Sequence, residues 1–358
     1  MANKTLGVTT FCNWTSYGSM LQAYSLRSEL SKIGIDSYIL YDRRISLPSD
    51  KYRIRFNLNL KEIASKILNF RVRKQITAQY EKSISFIKRN IKIIYYNSYD
   101  EMKLNYFKAD YYLTGSDQVF NPNNPQPGLF LDFVPDRKKR LTYACSMGST
   151  RVSSEKQTNF SKLLNNFDVI SVREEDNIEA LKAFNEKASY FCHIDPVFLT
   201  DAESWRKLET PYPLNEKYIL VYPLFWAKKY NKYLRSIHKM GYKIVGVFSS
   251  FNKDVYCNEC LYDVGVQEFL WLIDHSEAVI TSSFHGLALS LIFEKKISTV
   301  VNPSMPSRIT HLINLLGVKS CNVVDVLNVE QDYKSINRRI NEEKAKSINY
   351  LIGIFHEE

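Results

Sequence analysis

Short apolar and β-branched runs, each handing over through a polar break to a helical pattern, constrain this chain more than any other feature. The first is Thr5–Cys12 (TLGVTTFC), followed by the break Asn13–Ser19. Leu21, Tyr24, Leu26 and Leu30 then recur at near-helical spacing, Gly34 ends the helix, and Ser37–Tyr41 (SYILY) reads as the next strand. Strand, helix and strand in this order favour a parallel sheet, whose ligands gather at the ends of its strands.

The alternation persists. Strands are predicted at Tyr111–Thr114, Leu141–Ser146, Val169–Val172 and Tyr190–Ile194, with a helix over Asp176–Phe184. Residues 201–216 (DAESWRKLETPYPLNE) are polar, contain Pro211 and Pro213, and read as a linker. The rhythm then restarts with strands at Tyr218–Tyr222, Lys243–Phe248, Ala278–Thr281 and Ser298–Val301. Helices over Tyr230–Met240, Val266–His275 and Gly286–Phe293 separate them, and a long polar helix pattern runs from Tyr333 to Phe355. The 358 residues, 45% of them apolar, suffice for two cores. The expectation is two α/β units facing each other across a cleft, residues 1–205 and 212–325, followed by a C-terminal helix over 333–358.

Charge is concentrated. Residues 51–92 hold twelve Lys and Arg against Glu62 and Glu81, a surplus equal to the whole chain's +10, while the rest balances at 36 against 36. Leu60, Ile63, Ile67 and Phe70, then Ile84, Ile87 and Ile91, mark helices with one apolar face. Such a segment is either a solvated cover on the sheet or a basic amphipathic surface against anionic lipid headgroups. Arg71, Arg73, Lys74 and Lys82 are the cations expected to carry the lipid contact. No nucleic-acid motif or stacking-aromatic signature accompanies the segment, so no nucleic-acid partner is expected.

Residues 1–15 lack a basic start followed by an apolar core, and the longest apolar run, Gly286–Phe293 (GLALSLIF), falls far short of the ~20 residues of a membrane span. A cytoplasmic location is expected, extending to the inner face of the membrane. The six cysteines are dispersed and expected to be reduced. Cys257 and Cys260 have the spacing of half a zinc site, but no second pair completes it.

Four polar clusters sit where strands end. Asn13-Trp-Thr-Ser-Tyr-Gly18 precedes a helix, and Gly18 would let a ligand approach backbone N–H groups there. Gly115-Ser-Asp-Gln-Val-Phe-Asn-Pro122 packs Ser116, Asp117, Gln118 and Asn121 into one loop. It suits sugar hydrogen bonding with Asp117 as a base, or else a structural Asx-turn network. Arg173 in Ser171-Val-Arg-Glu174 offers a fork of donors to phosphate or carboxylate, or pairs with Glu174 or Glu175. In Thr281-Ser-Ser-Phe-His285-Gly286, Ser282 or Ser283 can cap a helix whose start binds phosphate. His285 there is an acid or base, or a satisfied structural histidine.

Together these residues resemble the polysaccharide pyruvyl transferase family from about Gly7 to Val318. The likeness rests on NWTSYGSMLQAYSL, GSDQVFNP, YACSMGS, SVRE, DPVFL and TSSFHG followed by an apolar helix. It implies two Rossmann-like domains of the GT-B type. It also implies transfer of a pyruvyl group from phosphoenolpyruvate to two hydroxyls of one sugar, giving a cyclic ketal, in bacterial capsule or exopolysaccharide synthesis. The acceptor implied is a sugar on a polyprenyl diphosphate, and neither metal nor cofactor is needed.

By the resemblance, Arg173 and His285 match residues that hold the donor and assist its chemistry. Asp117 joins them as a catalytic candidate, and Ser283, Gly286 and Arg308 complete the donor side. Asn13, Tyr17, Gly18, Gln22, Ser116, Asp117, Gln118 and Asn121 are the expected acceptor side. One position departs from the family pattern. Many members carry Arg two residues before the motif histidine; here it is Ser283, and Arg308 (PSRITHL) is the nearest substitute. The alternative is a glycosyltransferase of the same architecture that uses a nucleotide-sugar.

Overall fold

The computed structural model describes residues 4–42, 49–53, 59–149, 151–302 and 307–356. The first unit is a parallel sheet of β1 (Lys4–Thr9), β2 (Ile35–Tyr41), β3 (Ile93–Tyr95), β4 (Tyr111–Thr114) and β5 (Arg140–Thr142), in the order β3-β2-β1-β4-β5. Two further strands, β6 (Val169–Val172) and β7 (Ser189–Cys192), continue it. Cys145, just beyond β5, bridges to Val172, and the Arg173 N–H donates to the Cys145 carbonyl at 3.0 Å. The second unit comprises β8 (Tyr218–Tyr222), β9 (Lys243–Val247), β10 (Glu259–Leu261), β11 (Ala278–Thr281) and β12 (Lys296–Thr299). Its order, β10-β9-β8-β11-β12, repeats that of the first sheet.

Helices supply the crossovers that parallel strands require. In the first unit these are α1 (Tyr17–Lys32), α2 (Ser49–Tyr52), α3 (Leu60–Phe70), α4 (Arg73–Asn90), α5 (Tyr99–Asn105), α6 (Ser154–Leu164), α7 (Asp176–Lys182) and α8 (Ala202–Arg206). The second adds α9 (Asn231–Lys239), α10 (Val266–Asp274), α11 (Phe284–Ile292) and α12 (Ser307–Leu316), and α13 (Tyr333–His356) closes the chain. With helices on both faces, central strands must be apolar throughout, and β8 (YILVY) and β11 (AVIT) are buried at every position.

Both sheets reverse strand order beside their first strand, between β1 and β4 and between β8 and β11. Crevices at such reversals are where doubly wound sheets take ligands. The seam between the units is packed, because one apolar core runs from Leu6 and Leu26 to Leu220, Phe269 and Leu287. Tyr17 is its clasp: the ring stacks on Phe269 at 4.2 Å, and the hydroxyl donates to the Val264 carbonyl and accepts from Gln79 Nε2. The last helix, α13, returns to the first unit. Its Tyr350 stacks on His193 and donates to the Thr142 carbonyl, and Lys4 bonds the Phe355 carbonyl.

Three expectations change. Residues 201–216 are no free linker: Trp205 is fully buried and its indole N–H donates to the Val197 carbonyl. The strand expected at Ser298–Val301 starts two residues earlier, at Lys296. The basic segment, whose Arg55 lies outside the described residues, does not behave as one cover. Its α4 buries Ile76, Phe86 and Ile87, whereas α3 buries only Asn69. Lys82 does not belong to a free basic face, because its ammonium bonds both oxygens of Glu268 on α10 at 2.8 Å.

Candidate active site

Four chain segments bring charge together at the seam. Arg173 directly follows β6, and its guanidinium is almost wholly buried: Nε donates to Glu174 Oε1 at 2.8 Å and Nη1 to Asp195 Oδ2 at 2.7 Å. The same guanidinium lies 4.0 Å above the ring of Phe284, the first residue of α11 in the other unit. Asp195 caps a short 3₁₀ turn, its Oδ1 accepting from the Val197 N–H at 3.0 Å. Its Oδ2 also accepts from the Ser116 hydroxyl at 2.8 Å and lies 3.6 Å from His285 Nε2. One carboxylate therefore joins the β4 loop, the end of β6 and the start of α11.

Electrostatics follow from this crowding. Burial alone would raise the Asp195 carboxyl, but His285 and Arg173 overcome it and hold the group well below the ordinary carboxylate range. Burial opposes the Arg173 cation, yet Glu174, Asp195 and Asp117 keep it above its ordinary value. Arg308 is pulled below its ordinary value by burial and then by the like charge of Arg173, with Asp117 and Glu174 opposing. With the Gln118 amide turned to present its oxygen, that oxygen accepts from Arg308 Nη1 at 2.8 Å and Nη2 at 3.3 Å.

His285 sits in the first turn of α11, which Ser283 caps by accepting the Gly286 N–H at 3.3 Å. Opposite lies Gly18 at the start of α1. A Cβ placed on Gly18 would come within 2.1 Å of His285 Nδ1, so glycine here makes room for the imidazole. The ring is thus wedged between the two units. Asp117 takes a left-handed backbone (φ 72°), a strained conformation at the end of β4 that asparagine and aspartate tolerate best.

Arg173, His285, Asp117, Ser283, Gly286 and Arg308 are therefore brought together, with Ser116 and Gln118 binding Asp195 and Arg308. Asn13, Asp117, Gln118 and Asn121 are partly exposed. Four of the acceptor-side candidates are enclosed: Ser116 by its bond to Asp195, Gly18 by the His285 ring, and Tyr17 and Gln22 by contacts elsewhere. Tyr17 is the buried clasp, and Gln22 is fully enclosed, its Nε2 donating to Thr10 Oγ1 and the carbonyls of Phe11 and Ser19.

The residues that sequence reasoning passed over are Asp195, Glu174 as a clamp on Arg173, and Phe284. Asp195 had a signal: an acid inside the apolar stretch HIDPVFL must find buried partners, or its desolvation is prohibitive. Phe284 had none, since its role depends on the other unit.

Three buried nitrogens at this site make no hydrogen bond among the described residues: Arg173 Nη2, Arg308 Nε and His285 Nε2, the last with Asp195 Oδ2 at 3.6 Å. Buried polar groups are normally paired, so these nitrogens are open to an ordered water or a polar ligand.

The fold is of the GT-B type, two Rossmann-like units. Comparable overall folds occur in a proposed UDP-N-acetylglucosamine 2-epimerase of Listeria monocytogenes (10% identity, 98% of this chain and 95% of that one, TM-score 0.50). An α-glucosyltransferase solved with UDP and a 13-mer DNA is similarly close (11%, 98% and 95%, TM-score 0.50). No curated protein matches the sequence significantly. The sequence profile of the polysaccharide pyruvyl transferases matches residues 17–300, and the chain belongs to that family.

Proposed function

We propose that the chain transfers the pyruvyl group of phosphoenolpyruvate to two hydroxyls of one sugar, closing a cyclic ketal on a capsule or exopolysaccharide precursor. The three buried nitrogens without a hydrogen bond carry the reading: they suit a small ligand bearing both carboxylate and phosphate, as phosphoenolpyruvate does. No cofactor beyond this donor substrate is required.

In the reaction the donor's methylene carbon gains a proton, and the adjacent carbon becomes electrophilic. The first sugar hydroxyl adds there and loses its proton. The second hydroxyl then forms the other C–O bond as the C–O bond to phosphate breaks, and phosphate leaves with the bond's electron pair and takes up the proton that the second hydroxyl loses. His285 is placed to deliver the first proton and Asp117 to accept one from a hydroxyl. Arg173, Arg308 and the capped start of α11 hold the anionic groups as charge moves between them. Asp195 is a positioning residue: it fixes Arg173 from one side and faces His285 from the other.

The acceptor is a sugar carried on a polyprenyl diphosphate, which places the enzyme at the inner membrane face. Among the described residues no helix is long and apolar enough to cross a membrane, so that contact is peripheral. Arg308 supplies the donor charge that Ser283 does not. Arg308→Ala should raise the KM for phosphoenolpyruvate about tenfold or more, the scale of losing a charged hydrogen bond, with little change for Lys334→Ala. Equal KM values for the two variants would remove Arg308 from the donor site.

A further inference from the structure

The helix α3 is built the wrong way round for a soluble protein. Leu60, Ala64 and Ile67 recur at i, i+4 and i+7 and so share one face, with Ile63 and Phe70 beside it. In a helix covering a sheet this face turns inward. Here Leu60 is 85% exposed, Ile67 53% and Phe70 51%. The residue α3 buries is the polar Asn69, whose Oδ1 accepts the Phe251 N–H of the second unit at 2.7 Å. The opposite, apolar face is turned to solvent.

The helix is well anchored in this pose. A reciprocal capping box between Asn59 and Glu62 fixes its start, and its far end passes through the buried Val72 into α4. Val72 packs with Trp14 and Ile76. Trp14 belongs to the loop that leads from β1 into α1, so the outward face of α3 and the acceptor-side loop share one rigid corner. Around the apolar row stand Lys61, Arg71, Arg73 and Lys74, all exposed, and Lys66, half-exposed, against the single acid Glu62. Arg73 folds over the Phe70 ring at 4.1 Å, with its charge at the edge of the apolar patch.

We propose that α3 is a membrane-inserting helix: Leu60, Ile67 and Phe70 enter the headgroup boundary of an anionic bilayer while Lys61, Lys66, Arg71, Arg73 and Lys74 contact its phosphates. A hydrophobic row flanked by cations, lying across the surface of a folded protein, matches an interface that is apolar below and anionic above. The inference deepens the membrane-face reading by naming the element that inserts, and it needs no part of the catalytic scheme. It sets α3 apart from α4, whose apolar face is consumed by the core and whose Lys82 is consumed by Glu268.

The test is flotation of the full-length protein with vesicles of phosphatidylglycerol and phosphatidylcholine, against phosphatidylcholine alone. The wild type should float with the anionic vesicles and not the neutral ones, and less as salt rises. Leu60→Ser with Ile67→Ser should lower the partition coefficient about tenfold or more, and the exposed positions leave the fold unchanged by circular dichroism. The Arg71→Gln, Arg73→Gln, Lys74→Gln variant should lose the preference for anionic lipid. In a Phe70→Trp protein the indole emission should shift to the blue when anionic vesicles are added.

If the serine variant binds as the wild type does while the charge variant fails, the segment binds lipid by charge alone and insertion is wrong. If no protein shows an anionic preference, the membrane reading of the segment itself falls. A wild type that is dimeric by light scattering and a serine variant that is monomeric would assign the face to a second copy, also against the proposal.

Discussion

The two sheets share one strand order and contribute opposite kinds of chemistry. At the reversal of the first, β4 and the extension β6–β7 bring Asp117, Ser116, Arg173, Glu174 and Asp195, a dense and nearly self-satisfied ionic network. At the reversal of the second stands a helix start with His285, and beyond it Arg308, each with a nitrogen that makes no hydrogen bond. The first unit holds most of the fixed charge, with Asp117 and Arg173 Nη2 at its edge, and the second adds an imidazole and a further guanidinium across the seam. Neither is a site alone. Asp195 facing His285 at 3.6 Å and Phe284 under Arg173 at 4.0 Å are where the halves meet.

Removing the second unit's contribution should cost the most. His285→Ala is expected to lower kcat about 10²–10⁴-fold, the loss typical of a missing acid or base, with the circular dichroism spectrum unchanged. A folded variant with near-normal turnover would reduce His285 to packing against Gly18.

Removing the first unit's joint acts on stability as well. Asp195→Asn leaves Arg173 buried with one carboxylate instead of two. Breaking one partner from a buried pair costs about 3–5 kcal/mol, and Glu174 places the expected loss at the lower end. Urea unfolding should show this, together with a fall in activity larger than the stability loss explains. An unchanged midpoint would mean that Asp195 does not hold the seam.

A change at the clasp should be smaller. Tyr17→Phe keeps the stack on Phe269 but strands the Val264 carbonyl and the Gln79 amide, at about 1–3 kcal/mol. If the seam is as rigid as the packing indicates, this variant loses stability while its KM for phosphoenolpyruvate stays put. A raised KM would show instead that the units must hold their spacing for the donor to bind.

An effect that appears only on acidification lies at the docking of α13. Burial pushes the His193 imidazole down from 6.5 to about 4, helped by Lys346. Because the folded value is the lower one, the unfolded chain takes up the proton first as pH falls. The associated stability is complete above pH 6.5 and declines toward pH 4. Urea midpoints across that window should fall for the wild type and fall less for His193→Gln; parallel slopes would place the acid sensitivity elsewhere.

Much of the fold was legible because parallel strands buried on both faces leave unbroken apolar runs. β4, β6, β8 and β11 lie where the sequence places them. β3 and β10, three residues each, were too short to give a period. The orientation of α3 was not legible either. Periodicity shows that a helix has an apolar face but not what that face meets, and here Asn69 rather than Ile67 turned inward.

At the site, Arg173 and His285 stood out because strand ends and helix starts concentrate ligand chemistry. Tyr17 and Gln22 looked like ligand groups for the same reason. Only the second unit shows that Tyr17 is a clasp, since Val264 and Phe269 lie about 250 residues away in sequence. In the sequence Gly18 suggests an approach for a ligand to backbone N–H groups, whereas its nearest occupant is the His285 ring, a contact between units that no local pattern announces.

The central claim is that the seam binds phosphoenolpyruvate and spends it on a ketal. Mass spectrometry of a polyprenyl-diphosphate-linked glycan, incubated with the enzyme and either phosphoenolpyruvate or a nucleotide-sugar, tests it most directly. The account predicts a glycan that gains one pyruvyl ketal with phosphoenolpyruvate, releases phosphate in step, and remains unchanged with His285→Ala. Contradiction would be a glycan untouched by phosphoenolpyruvate that gains a sugar from the nucleotide-sugar.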